Sequence, residues 1–173
     1  RLDKLLLRRA DLRFPFPEGL SQRVTGKTMR AVERRAKYGL IRFDNAEPLS
    51  VLFHLGMSGR MTCEDDPGLP FEKHDHVVLE TVRGQVRFND PRRFGFMDLI
   101  DGPEEDNRFL AALGPEPLSD AVSPAYLRAA FKDRASPIKA SLLNQRLIAG
   151  LGNIYVCEAL FESGIQPTRK TGS

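Results

Sequence analysis

The segment 143–155, LNQRLIAGLGNIY, constrains the fold of this chain more than any other stretch. Gly150 and Gly152 predict a tight turn, and Asn153 stands where a new helix must begin. Upstream, Ser136-Pro137 is typical of an N-cap followed by the first residue of a helix. The segment therefore predicts a helix, two turns and a second helix. The amide groups at the start of that helix form a ready anion site, and in a basic chain the expected anion is a DNA phosphate.

A simpler interpretation stays open for the same segment. Both glycines can serve only as helix boundaries, with Asn153 as an ordinary N-cap, and the segment alone favours this reading. The rest of the chain has to decide between the two.

Length and composition indicate a globular chain with one large domain or two small ones. The chain has 173 residues, of which 41% are hydrophobic, so a core of ordinary size can form. No apolar run approaches the roughly 20 residues that span a bilayer, and the charged start RLDKLLLRRADLRF does not resemble a signal peptide. We therefore expect a cytoplasmic protein that makes no membrane contact.

Cysteine and charge patterns narrow the class of partner. Cys63 and Cys157 are far apart and form no CxxC motif, so we expect two free thiols and no metal site in this chain. The net charge is only +3, but residues 1–37 hold eleven Lys and Arg against four acidic residues. Such an uneven distribution of charge is expected of a protein that binds a polyanion with one face, although ordinary solvated surface charge is the commoner cause of such runs.

The hydrophobic pattern divides the chain into a β half and a helical half. Residues 29–100 contain short apolar and β-branched runs that predict a mostly antiparallel β domain, with a hairpin turn at Arg83-Gly84. The runs are Leu40 to Phe43, Val51 to Leu55, Val77 to Val82, Val86 to Phe88 and Phe94 to Ile100. We predict domains over residues 1–108 and 109–173, with a stiff boundary at Gly114 to Pro117.

Three helices are predicted in the second half. They begin at Ser123-Pro124, at Ser136-Pro137 and at Asn153. The third ends at Gly164, and its predicted apolar stripe consists of Ile154, Cys157, Leu160 and Phe161.

A basic cluster, Arg34-Arg35-Ala36-Lys37-Tyr38, leads into an apolar strand. Three cations at such a position are usually a solvated turn, and a patch that contacts phosphate is the alternative. A lysine among other cations has a lowered pKa, which leaves more neutral amine to act as a base or nucleophile. Lys37 is therefore a candidate catalytic residue.

Two further motifs place apolar side chains beside polar turns. In HLGMSG, residues 54–59, the glycines predict a turn that holds Met57 outward as a wedge against stacked bases, although a core methionine is commoner. In DPRRFGF, residues 90–96, Arg92 can reach a phosphate or base edge while Phe94 inserts into the base stack. A surface arginine pair over a core aromatic is the alternative for this second motif.

The motif KHDH, residues 73–76, points His74 and His76 to the same face of a strand. A metal pair is conceivable, but no third ligand stands at a convincing spacing. A histidine that contacts phosphate, or a buried histidine pair, fits the pattern better.

Taken in order, these motifs resemble the formamidopyrimidine-DNA glycosylase and endonuclease VIII family. The resemblance runs along nearly the whole chain through RRAKY, HLGMSG, KHDH, DPRRFG, LGPEPLS, Ile138-Lys139 and GLGNIYVCEALFESGI. It implies an α+β fold, with an N-terminal antiparallel β-sandwich followed by a helix-two-turn-helix domain. KHDH and DPRRFG resemble the formamidopyrimidine branch, which removes oxidised purines such as 8-oxoguanine, more than the branch that prefers oxidised pyrimidines.

The resemblance assigns roles to individual residues. Lys37 matches a lysine that contacts DNA phosphate and assists the lyase steps. Met57, Arg92 and Phe94 match the trio that fills the gap left by the everted nucleotide. His74, Arg92, Arg134 and Asn153 match positions that contact DNA, Asn153 through the turn that grips phosphate beside the lesion.

The chain departs from the family pattern at both ends. Family members begin Pro-Glu, where the proline amine attacks the sugar and the glutamate acts as acid and base, whereas this chain begins at Arg1. The four-cysteine zinc finger is also not matched. We therefore expect an internal piece of a bifunctional glycosylase and AP lyase, inactive by itself, with no cofactor in this chain and one structural zinc in the parent.

The expected partner is duplex DNA that contains oxidised bases or abasic sites. Three alternatives stay open: a glycosylase of the endonuclease VIII branch, a non-catalytic protein that binds damaged DNA, and an RNA-binding module.

Overall fold

The computed structural model describes residues 1–66 and 68–172 and contains two compact units. The first unit comprises residues 1–34 and 38–104, and the second comprises residues 35–37 together with the chain from residue 105 onward. Residues 35–37, which the sequence analysis placed in the first domain, thus cluster with the second unit.

The first unit is built on eight strands in the described part of the chain. They are β1 (Leu2–Leu7), β2 (Met29–Arg35), β3 (Tyr38–Phe43), β4 (Leu49–His54), β5 (Arg60–Glu64), β6 (Asp75–Thr81), β7 (Gly84–Asn89) and β8 (Phe96–Asp101). A short helix, α1 (Leu20–Val24), and a 3-10 turn (Glu104–Asp106) complete it.

The strands form two four-stranded sheets, in the orders β1-β6-β7-β5 and β2-β3-β4-β8. The pairs β1–β6, β6–β7, β5–β7, β3–β4 and β4–β8 are antiparallel. The antiparallel β domain predicted from the sequence is thus confirmed, and all five predicted runs coincide with strands. Val77 and Phe88 from one sheet and Ile41 and Val51 from the other belong to the same buried core, which is the layered packing of a β-sandwich.

The sequence analysis predicted no element in the first 28 residues, where the structure has β1 and α1. The register of β1 on β6 shifts between Leu2 and Lys4, so that Leu2 and Leu5 are both buried although they are three residues apart. This irregularity removes the strict alternation by which a half-buried strand is recognised.

The predicted Arg83-Gly84 hairpin is displaced by one residue. The turn lies at residues 82–83, and Gly84 is already the first residue of β7. Its φ of +126° is a conformation that residues with a side chain rarely adopt, and a Cβ there would clash with the Glu64 carbonyl oxygen.

A buried polar network joins β6 and β7 to the loop before β6. Arg87 and Asp75 are almost fully buried, and Arg87 Nη1 lies 3.5 Å from Asp75 Oδ2. Arg87 also donates to the carbonyl oxygens of Leu69 and Pro70, at 2.7 and 3.0 Å. The Arg8 and Arg87 guanidinium groups both contact the Phe71 ring, 4.6 and 4.9 Å from its centroid. These contacts fix the loop that leads to His74.

The described residues of the second unit contain three helices, α2 (Pro124–Phe131), α3 (Ile138–Leu143) and α4 (Asn153–Glu162). The predicted start of α2 is confirmed, because the Ser123 hydroxyl accepts a hydrogen bond from the Tyr126 amide. The predicted start of α3 is wrong by one residue. Pro137 occupies the N-cap position, and the Ser136 hydroxyl instead contacts the Ser141 hydroxyl at 2.8 Å.

The predicted apolar stripe of α4 is only partly correct. Val156 and Leu160 are its buried residues, whereas Ile154 and Phe161 are 70% and 83% exposed. Helix α4 ends at Glu162, and Gly164 follows with a positive φ, as the sequence predicts. Among the described residues, no helix combines the length and apolarity required to cross a bilayer.

We expect Arg87→Met to lower the free energy of unfolding by about 3–5 kcal/mol, since it leaves the buried Asp75 carboxylate without its cation. Arg83→Met, at the exposed turn of the same hairpin, is the matched control and should change it little. Urea unfolding monitored by circular dichroism measures both variants. Equal midpoints for the two would contradict the role given to the buried pair.

Candidate nucleic-acid interface

The turn between β4 and β5 holds Met57 in solvent. Met57 is 71% exposed, and the turn closes through the Gly59 amide, which donates to the Leu55 carbonyl at 2.9 Å. The Gly56 amide donates to His54 Nδ1, also at 2.9 Å. The outward position considered for Met57 in the sequence analysis is therefore the observed one, and the commoner core position is not.

The loop 90–95 packs directly on this turn. Gly56 has a φ of +65°, and a Cβ at that position would lie 2.5 Å from the Gly95 nitrogen. Only glycine allows the two backbones to approach this closely. The positions of the two loops are therefore coupled.

Asp90 is completely buried, and its side chain links the two loops by hydrogen bonds. Its Oδ1 accepts from the Ser58 hydroxyl at 2.6 Å, and its Oδ2 accepts from the Gly95 amide at 2.7 Å. The Ser58 hydroxyl oxygen in turn accepts from the Arg92 amide at 3.2 Å. Sequence reasoning did not single out Asp90, although the first letter of the DPRRFG motif was the signal that could have identified it.

The 90–95 loop also presents an arginine beside an exposed aromatic ring. The Arg92 guanidinium lies 4.7 Å from the centroid of the Phe94 ring, and Phe94 is 43% exposed. A cavity of about 360 Å³ beside them is lined by Arg13, His54, Gly56, Met57 and Phe94. Met57, Arg92 and Phe94, which we call the wedge surface, thus lie on two adjoining loops of the first unit.

The two histidines of KHDH differ in burial, and both contact the backbone of the 90–95 loop at Asp90. Their ring centroids are 6.0 Å apart, and His76 is almost fully buried whereas His74 is half-buried. His76 Nε2 donates to the Asp90 carbonyl at 2.9 Å, and the Asp90 amide donates to the His74 carbonyl at 3.0 Å. Burial lowers the pKa of His76, the hydrogen bond to the Asp90 carbonyl opposes this, and nearby Arg9 and His74 act in the same direction as burial. His76 is therefore a neutral structural donor.

In the second unit, Lys37 contacts the turn that precedes α4. Its Nζ donates to the Leu151 carbonyl at 2.8 Å. The pKa of Lys37 is lowered, as the sequence analysis expected, but the cause is desolvation of the ammonium group rather than repulsion by neighbouring cations. One bond to Leu151 leaves two of the three ammonium hydrogens for a further acceptor.

The backbone around Lys37 is fixed by Glu116, which sequence reasoning also missed. Glu116 Oε1 accepts from Arg35 Nη1 and from the Ala36 amide, both at 2.6 Å. Ala36 is buried and has a φ of +53°, an uncommon conformation for a residue with a side chain. The predicted boundary segment 114–117 is thus an anchor for the turn that presents Lys37.

Helix α4 begins with Asn153 as its first residue, so Gly152 rather than Asn153 occupies the N-cap position. None of the described side chains caps this end. The first amide groups of a helix lack partners within it, so they are available to an anion. Asn153 is exposed, and its Oδ1 lies 3.6 Å from the Cys157 thiol.

Arg134 lies apart in sequence from this turn, in the link between α2 and α3. It is exposed, and its Nε donates to the Ala130 carbonyl at 2.6 Å. Within residues 1–66 and 68–172, no group of three or more His, Cys, Asp or Glu side chains could hold a metal ion, and Cys63 and Cys157 are free thiols.

Comparison with known proteins gives consistent matches along the chain. The family model described as "Formamidopyrimidine-DNA glycosylase N-terminal domain" matches residues 2–97, and the "Formamidopyrimidine-DNA glycosylase H2TH domain" matches residues 113–173. A formamidopyrimidine-DNA glycosylase of Acidiphilium cryptum (strain JF-5) is 53% identical over 175 residues, covering 100% of this chain and 62% of the relative. One from Jannaschia sp. (strain CCS1) is 50% identical over 181 residues, covering 99% of this chain and 63% of the relative. The chain therefore spans less than two thirds of the length of these relatives.

Solved structures show the same correspondence. The Lactococcus lactis enzyme in complex with a Fapy-dG containing DNA matches with a TM-score of 0.88 at 32% identity, covering 100% of this chain and 64% of that one. The complex of the L. lactis enzyme with an abasic site containing DNA matches with a TM-score of 0.87 at 32% identity, covering 100% and 63%.

The burial of His76 generates a prediction about pH. Because its pKa is lower in the folded chain than the usual value of about 6.5, the unfolded chain takes up a proton first on acidification. Its contribution to stability is complete above pH of about 6.5 and is lost as the pH falls from there through the folded pKa. We expect His76→Gln to reduce the loss of urea resistance between pH 7.5 and 5.5. An unchanged slope in that variant would contradict a neutral buried His76.

Proposed function

Because the chain belongs to the formamidopyrimidine-DNA glycosylase family, we propose that the whole protein removes oxidised purines from duplex DNA and then cleaves the abasic strand as a lyase. The observation that carries the proposal is the wedge surface, on which Met57 and Phe94 are exposed beside Arg92 on two loops braced by Asp90. Exposed apolar side chains on rigid loops are expected where they meet an apolar partner. The L. lactis complexes with Fapy-dG and abasic DNA support the choice of partner.

The wedge surface would act in extruding the damaged base. A base inside a duplex is out of reach of a catalytic group, so the nucleotide must be turned out and the gap filled. In this proposal Met57 and Phe94 occupy the stack, and Arg92 contacts the opposite base or a phosphate. His74 is held at the edge of the buried polar layer and contacts backbone phosphate.

In the second unit, Lys37 and the start of α4 would hold phosphate. The free hydrogens of the Lys37 ammonium and the amides at Asn153 are donors of the kind that phosphate accepts. Arg134 adds a further phosphate contact. These contacts carry no sequence information, which suits an enzyme that searches for lesions in any sequence.

The reaction requires an amine nucleophile, which the resemblance assigns to an N-terminal proline of the whole protein. Its nitrogen forms a bond to the sugar C1′ as the bond from C1′ to the base breaks, and the base leaves with a proton. The C1′–O4′ bond then breaks and O4′ takes a proton, which opens the sugar ring to an iminium ion. This ion makes the C2′ proton acidic, so that its loss drives an elimination that breaks the bond to the 3′ oxygen. Lys37, with its lowered pKa, assists these proton transfers.

The structural zinc implied by the family has no fitting set of ligands among the described residues, since no acidic, cysteine or histidine cluster forms there. No step proposed above passes through it. We place the reaction in the bacterial cytoplasm, where the DNA substrate lies, and expect a monomer.

Borohydride trapping tests the activity. We expect the protein expressed from the complete gene to form a covalent adduct with duplex DNA that contains 8-oxoguanine, because borohydride reduces the imine to a stable amine. Matched undamaged duplex is the control. Failure to trap any adduct would refute the proposal, and an adduct with thymine glycol alone would assign the protein to the oxidised-pyrimidine branch.

The wedge surface can be tested by single-turnover excision of 8-oxoguanine. Phe94→Ala should slow excision about tenfold or more, since stacking of a base on an aromatic ring contributes roughly 1–3 kcal/mol. Phe161→Ala, which removes an exposed ring from α4, is the control and should leave the rate unchanged. Equal rates in both variants would show that Phe94 does not enter the base stack.

A further inference from the structure

Gln145 lies in the turn between α3 and α4 and uses its whole side-chain amide to shape that turn. Its Oε1 accepts from the Gly150 amide at 2.8 Å. Its Nε2 donates to the carbonyl oxygens of Leu143 at 3.0 Å and Leu151 at 2.8 Å. All three partners are backbone groups of fixed polarity, so only one orientation of the amide satisfies them.

The Leu151 carbonyl receives two donors. Gln145 Nε2 and Lys37 Nζ each approach it at 2.8 Å. The carbonyl belongs to the peptide that leads into Gly152, the N-cap of α4. A Cβ on Gly152 would lie 3.4 Å from Lys37 Nζ, so the lysine end and the start of the helix are close neighbours. The Gln145 amide thus reaches a carbonyl that also holds Lys37, beside the helix start.

Most of the turn is anchored without the Gln145 side chain. Ile148 and Ala149 are buried, and the Ala149 amide donates to the Pro115 carbonyl at 2.9 Å. The Tyr126 hydroxyl donates to the Leu147 carbonyl at 2.7 Å. Truncation of the Gln145 amide should therefore leave the turn folded and release mainly residues 150–151.

We propose that Gln145 is a positioning residue for phosphate binding, which orients the 150–152 backbone so that Lys37 Nζ and the Asn153 amide present their donors together. Gln145 itself makes no contact with DNA in this proposal. The inference rests on the proposed function, in which Lys37 and the start of α4 hold phosphate.

The experiment is a double-mutant cycle in the protein expressed from the complete gene, with a duplex that contains a tetrahydrofuran abasic-site analogue as the probe. Gln145→Met keeps the length of the side chain and removes every hydrogen bond, so we expect the Kd to rise about fivefold, as for the loss of one net hydrogen bond. Gln145→Glu keeps the acceptor but removes both donors, and the Kd should rise at least as much. Gln166→Met and Gln166→Glu, at an exposed position of the same unit, are the matched controls and should leave the Kd unchanged.

The cycle separates positioning from general stability. In a Lys37→Met background, Gln145→Met should have a smaller further effect, because the donor that shares the Leu151 carbonyl with Gln145 has been removed. Fully additive effects, or an unchanged Kd for Gln145→Met beside a raised Kd for Lys37→Met, would overturn the role of Gln145. An unchanged Kd for Lys37→Met would instead overturn the phosphate contact on which the inference rests. Binding is measured well below the melting temperature of each variant, so that loss of folded protein does not raise the Kd.

Discussion

The wedge surface depends on the carboxylate of Asp90. Asp90 is completely buried. Burial of a carboxylate destabilises a fold by roughly several kcal/mol unless hydrogen-bond donors replace the water that it has lost. Here one oxygen binds the Ser58 hydroxyl on one loop and the other binds the Gly95 amide on the second loop. Satisfying the charge therefore fixes both loops at once. Met57 and Phe94 are therefore exposed on loops that have little freedom to move. The proposed insertion into a stack of nucleobases requires such rigidity.

The second unit applies the same principle with a carbonyl and a carboxylate. The Leu151 carbonyl accepts hydrogen bonds from Lys37 and Gln145, while the Glu116 carboxylate accepts them from Arg35 and the Ala36 amide. In both units, the groups that would touch DNA are supported by polar groups that would not. Because those supports contact mainly backbone, they fix the path of the chain rather than the rotamer of a single side chain.

The sequence predicted much of what depends on local pattern. The five β runs, the Ser123 cap and the glycine that follows the end of α4, Gly164, agree with alternation and capping chemistry, and all are observed. Strand β1 was missed because its bulge breaks the alternation. The stripe of α4 was partly wrong because apolar residues surround the helix, and only tertiary packing selects Val156 and Leu160. Asp90 and Glu116 were missed because their partners are distant in sequence, at Ser58 and Arg35.

Lys37 shows why a correct prediction can rest on the wrong cause. The sequence places it among cations, whose repulsion would lower its pKa, but the Arg35 guanidinium is paired with the Glu116 carboxylate at 2.6 Å. Desolvation lowers the pKa instead. Repulsion between exposed cations weakens with salt, whereas the desolvation that lowers the pKa of Lys37 does not depend on charge screening.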